Sequence, residues 1–134
     1  MKLLATSSCL VFIVIKGGDG AMSDYEIYDL TIHRIKKYFA NKDVDELFLH
    51  GGCYWLANYL HERLSLSFIM FNKEKEHCAI EFHNELYDIT GKINSKQYRL
   101  ATERNLEYMK KHYIPTFDVK NVEHYLKADD SLNK

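Results

Sequence analysis

Gly51-Gly52-Cys53-Tyr54-Trp55-Leu56-Ala57-Asn58-Tyr59-Leu60 is the stretch whose reading decides the fold, and it is answered by Glu76-His77-Cys78-Ala79-Ile80 and by Leu86-Tyr87-Asp88-Ile89-Thr90-Gly91. Trp55, Leu56, Tyr59 and Leu60 recur at helical spacing, so the first stretch predicts a helix that opens at Cys53 directly behind two glycines. A helix N-terminus carries about half a positive charge, which stabilises a thiolate and lowers a cysteine pKa from its free value of about 8.5. The glycine pair allows a sharp turn and the close approach of a substrate carbonyl. The same turn offers backbone N–H groups near Gly52 and Cys53 to a developing oxyanion.

The second and third stretches predict two strands, His77–Phe82 and Glu85–Ile89, joined across the polar pair His83-Asn84. With a turn of that length Phe82 pairs with Glu85, Ala79 with Asp88, and His77 with Thr90. Paired residues share a face, and side chains alternate with a period of two. His77, Ala79, Asp88 and Thr90 are therefore expected on one face, with Asp88 a diagonal neighbour of His77. A thiol opening a helix, an imidazole opening a strand and a carboxylate on the next strand make Cys53, His77 and Asp88 a candidate nucleophile, base and orienter. Gly52, His50 and Trp55 are candidates for oxyanion and substrate binding. His50 stands three residues before Cys53, where it serves either as a second polar group of the site or as a turn residue at the cleft mouth.

The order Gly-x-Cys, helix, strand, Glu76-His77, then Tyr87-Asp88-x-Thr90-Gly91 resembles the core of the transglutaminase-like and papain-like cysteine enzymes over about residues 47–93. The resemblance implies a papain-like or transglutaminase-like core, with the cysteine helix packed on an antiparallel sheet and the histidine and aspartate on adjacent strands. It departs at Cys78 and Ala79, where transglutaminases usually carry a tryptophan. With the residue geometry, it points to a cysteine hydrolase or acyltransferase acting on a peptide, isopeptide or amide through a thioester, with no cofactor and no metal. Two other classes stay open. One is a non-catalytic binding or inhibitor protein that keeps this fold, such as a phage or bacterial effector that blocks a partner by contact. The other is a zinc site built from Cys53, His77 and Asp88.

Working outward, Ser23-Asp24 with Glu26 makes a capping box for a helix to about Ala40, with Ile27, Tyr28, Leu30, Ile35, Tyr38 and Phe39 on its apolar side and His33, Arg34, Lys36 and Lys37 on its solvated side. Residues 41–45 read as a polar connector, and Leu66–Phe71 as a first strand preceding the other two in a meander. His83, in the turn, reads as solvent-exposed and outside the site. Tyr98, Leu100, Ala101, Leu106, Met109 and Tyr113 are spaced for a helix from Lys96 to about Tyr113, stopped by Pro115. Val119, Val122, Tyr125 and Leu126 form the docking side of a last short helix, Phe117–Leu126, before a polar tail over 127–134. The expected architecture is α+β: a cysteine-bearing helix on a small antiparallel meander, flanked by N- and C-terminal helices, in one domain over 22–126.

The rest of the composition excludes more than it selects. A chain of 134 residues suits one domain with a real core, and 46% hydrophobic with 28% charged residues is ordinary for a globular protein. A formal net charge of −1 gives no nucleic-acid surface. The expected partner is a peptide or protein substrate, without stable membrane insertion. Cys9, Cys53 and Cys78 cannot all pair and lack the Cys-x-x-Cys spacing of a zinc site, which favours a reducing, cytoplasmic compartment. Cys78 alternates away from His77 and reads as a small buried apolar residue. Residues 1–21 carry a charged start and an apolar run to Ile15 without a small-x-small cleavage site. Three readings compete there: an extension upstream of a start at Met22, a strand ending at Gly17-Gly18, and an export signal.

Overall fold

The computed structural model describes residues 22–40, 43–114 and 117–132. The readings of residues 1–21 and of Pro115 lie outside the described residues.

His83 and Asn84 both have positive φ, 53° and 63°. That is the requirement of a type I′ turn, whose twist matches the strands it joins. The turn links β2 (His77–Phe82) to β3 (Glu85–Asp88) with Phe82 opposite Glu85 and Ile80 opposite Tyr87. β1 (Phe68–Asn72) lies on the other side of β2, with Ile69 opposite Ile80 and Asn72 opposite His77. Two strands absent from the sequence reading complete the sheet: β4 (Gly91–Ile93) beside β3 and β5 (Arg99–Leu100) beside β1. The antiparallel order is β4-β3-β2-β1-β5, a meander with one strand returned to its far edge.

By this register Ile69, Phe71, Cys78, Ile80, Phe82 and Tyr87 share one face. All six are buried. α3 (Cys53–Arg63) crosses this sheet and buries Leu56, Ala57, Tyr59 and Leu60 in the same core. α1 (Asp24–Phe39) has the expected Ser23–Glu26 capping box and packs Tyr28 against the Phe82 and Tyr87 rings. Leu30 and Tyr38, expected on its apolar side, are exposed.

The connector before Cys53 is a helix, α2 (Val44–Leu49), capped by Asp43 and held by buried Val44 and Phe48. At six residues it is too short to announce itself by periodicity. The helix expected from Lys96 begins seven residues later, as α4 (Glu103–His112). Thr102 and Asn105 form its capping box, while the Ala101 N–H donates to the Ile69 carbonyl at 2.9 Å as a strand continuation would. Leu100, expected inside the helix and buried, is 61% exposed on edge strand β5. α5 (Phe117–Leu132) docks on α1 through Val119, Val122 and Leu126, with Tyr125 exposed. It also runs through most of what reads as a polar tail. Among the described residues no helix is long and apolar enough to cross a membrane.

Candidate active site

The corner between α2 and α3 sets Cys53. Gly51 has φ +117°, a conformation that side chains resist, and the Gly52 N–H donates to the Leu47 carbonyl at 2.9 Å. A Cβ on Gly52 would lie 2.8 Å from the Leu47 carbonyl oxygen and 3.0 Å from the Phe48 ring. Gly51 is therefore needed for its backbone conformation and Gly52 for a close contact within the chain. Since the Gly52 N–H is occupied, Gly52 is not the oxyanion donor that its position suggested. Gly52→Ala is expected to cost about 1–3 kcal/mol, read as a lower urea midpoint at unchanged m-value.

Cys53 is the first residue of α3, and Gly52 gives the helix no side-chain cap. The sulfur accepts the Cys78 N–H at 3.4 Å. Next along β2's start, His77 Nε2 lies 3.0 Å from Asp88 Oδ2. The second Asp88 oxygen accepts both the Thr90 N–H, at 2.8 Å, and the Thr90 hydroxyl, at 2.5 Å. The Tyr28 hydroxyl donates to the Asp88 carbonyl, which ties α1 to the same residue. Cys53, His77 and Asp88 are 2%, 6% and 6% exposed. The structure thus brings the three residues together, with the carboxylate fixed on both oxygens.

The charges follow from these contacts. Hydrogen bonding from the Cys78 thiol, then from His77, with the charge of His77 and the Cys78 N–H, overcomes burial and holds the Cys53 thiol well below the usual thiol range. Cys78 is pushed the opposite way by Cys53 and by burial, so Cys53 is the thiolate of the pair. Burial works against a charged His77 ring, yet hydrogen bonds with Asp88 and Cys53 push its pKa up to about 9. Burial also opposes ionised Asp88, but His77 and Thr90 outweigh it and keep that carboxyl below its ordinary range. The shifts of all three groups thus run in one direction, each towards its charged form.

A cavity of about 620 Å³ opens beside His77 and Asp88. His50 lines it, exposed and 3.7 Å from Glu46, whose carboxylate is its ion-pair partner when the ring is protonated. Trp55 does not line it. That residue lies between α3 and α5 against Ile35, Phe48 and Val122, with its indole N–H buried and unpartnered, so it is placed for packing. Cys53 lies behind the cavity, enclosed between α3 and β2 by Phe48, Leu56, Cys78 and Ile80.

A family model described as "Phage YunG-like protein" matches residues 31–127. The chain belongs to the phage YunG-like family. This corrects the likeness to transglutaminase-like and papain-like enzymes: the family matched across the chain is neither of these. Three short motifs in the right order can arise wherever a helix start meets a hairpin. No curated protein and no solved structure matches the chain.

The phage YunG-like region contains Cys53, His77 and Asp88, and also side chains at the site that the sequence reading missed. Asn72, opposite His77 in β1, is buried, accepts the Lys75 N–H on its side-chain oxygen at 3.1 Å, and lines the cavity together with Tyr98. The Tyr98 ring stands edge-on to His77 at 6.3 Å. Reading Tyr98 as part of a helix concealed it. The signal that would have found it is the Thr102-x-x-Asn105 capping box, which starts the helix beyond Tyr98. Among the described residues of this phage YunG-like chain, no group of three or more His, Cys, Asp and Glu side chains could hold a metal ion.

Proposed function

We propose that the chain is a small cysteine hydrolase or acyltransferase acting on a peptide, isopeptide or amide bond. The observation that supports this best is the buried His77–Asp88 pair, 3.0 Å apart, with the Cys53 sulfur held by the N–H of the next residue, Cys78. The Cys53 thiolate attacks the acyl carbon, and His77 gives its proton to the leaving amine as the C–N bond breaks. A thioester remains. Water, or a second amine, then loses a proton to His77 and attacks the thioester, releasing acid or new amide and restoring the thiolate. Asp88 holds the ring's orientation and its charge throughout. The oxyanion falls to first-turn N–H groups of α3 from Cys53 onward, since that of Gly52 is engaged.

A second reading is supported by the family match and by the burial of Cys53: a non-catalytic binding or inhibitor protein of a phage or bacterial effector kind, in which Cys53 is an ordinary buried thiol and the His77–Asp88 pair only orders the core. Alkylation of Cys53 by iodoacetamide, followed by mass spectrometry across pH, separates the two. Under the enzyme reading the rate reaches half its plateau well below the free-thiol value of about 8.5. A midpoint near 8.5, or no alkylation of folded protein, leaves the binding reading standing.

A further inference from the structure

The cavity beside the triad is uneven in charge. Among its described lining, Lys75 and Lys96 are the cations besides the histidines, and Asp88 is the one carboxylate. Asp88 is taken by His77 and Thr90. Lys75 and Lys96 are exposed at the rim, and neither shares in the ion pairs formed among the described residues. The chain as a whole has a formal net charge of −1, so this positive rim is a local feature. Asn94, Gln97 and Tyr98 add neutral donors to the same wall. At about 620 Å³ the space suits a short peptide rather than a single ion.

We propose that this cavity binds an acyl donor carrying a carboxylate, a short acidic peptide whose anionic group is held by Lys75 and Lys96 while its scissile amide faces His77, with Cys53 reached behind it when the corner before α3 opens. The proposal rests on the thiol-nucleophile reading above and narrows it to a substrate class. A cationic rim of this kind raises the local concentration of anions and orients them, in a salt-dependent way.

The test compares alkylation of Cys53 by iodoacetate and by iodoacetamide in the unaltered protein and in the Lys75→Gln/Lys96→Gln variant. Both reagents form the same S–C bond and expel iodide, so the thiolate's nucleophilicity and any opening needed to reach Cys53 cancel in the ratio of rates. The charge of His77 is common to both proteins. The expected result is an iodoacetate-to-iodoacetamide ratio about fivefold lower in the variant at low ionic strength, the gap closing as salt is raised. An equal ratio in the two proteins, with Cys53 still titrating low, overturns the substrate class and leaves the nucleophile reading intact. Cys53 titrating as an ordinary thiol overturns both. Both lysines are at the surface, so the variant is expected to fold.

Discussion

Replacing His77 with alanine raises the midpoint of Cys53 alkylation by about 2 pH units, from about 5 towards 7, and changes the rate at pH 6 by less than about twofold. The two figures differ for a physical reason. A thiol titrating about 2 units higher, near 7, is roughly a tenth ionised at pH 6, so the loss of thiolate alone would be about tenfold. A thiolate of higher pKa is, however, the better nucleophile, with a Brønsted slope of about 0.4–0.5, and this recovers most of the loss. The midpoint is therefore the firmer readout. Burial of Cys53 does not disturb it, because the closed form dominates the population and its ionisation sets the pH at which the rate levels off. Cys78 still donates to the sulfur in the variant, so the shift stops short of the full range. An unchanged midpoint in both His77→Ala and His77→Gln removes His77 from the site.

Asp88→Ala is expected to cost about 3 kcal/mol at pH 6, at the low end for breaking a buried ion pair, because Cys53 still faces the imidazole and the ring can shed its proton. The pH dependence has a definite sign. His77 holds its proton to about 9 in the fold, against about 6.5 in an unfolded chain. Its contribution is fully present below about pH 6.5 and lost as pH rises through 9. Asp88 has a lowered pKa, so its contribution is present above about 3.9 and lost as pH falls through its folded value. The gap in urea stability between the unaltered protein and Asp88→Ala is thus widest from about pH 4 to 6.5 and narrows towards pH 9. A gap that widens with rising pH would mean that the pair is not ionised in the fold.

The hairpin was legible because its turn chemistry and its period agree. His83-Asn84 tolerates two positive φ values, and the strands on either side could be counted residue by residue to put Asp88 beside His77. The start of α3 was legible from the glycine pair and the stripe through Leu56 and Leu60. What stayed hidden is short or carried by contacts far along the chain. β5 is two residues, and its pairing depends on the β1 edge rather than on its own composition. Gly52 was read for its freedom, whereas its smallness matters because the Leu47 carbonyl lies beside it. The burial of Cys78 follows from strand alternation, but the bond from its N–H to the Cys53 sulfur depends on how α3 lies over β2, which no local pattern encodes.

Glu76, the residue before His77, takes hydrogen bonds from the hydroxyls of Tyr108 and Tyr113, at 2.8 and 2.5 Å, and the Tyr113 ring meets the space above Gly51. One helical segment that supplies no member of the triad thereby fastens the approaches to both Cys53 and His77. α4 buries fully only Met109, so it belongs among the parts of the molecule that come away at the least free energy. A detachment of this helix would free the turn before β2 and the corner before α3 together. The ionised thiol proposed above would then belong to the closed population, and its reactivity is expected to follow the amide exchange of a helix on which no chemistry is written.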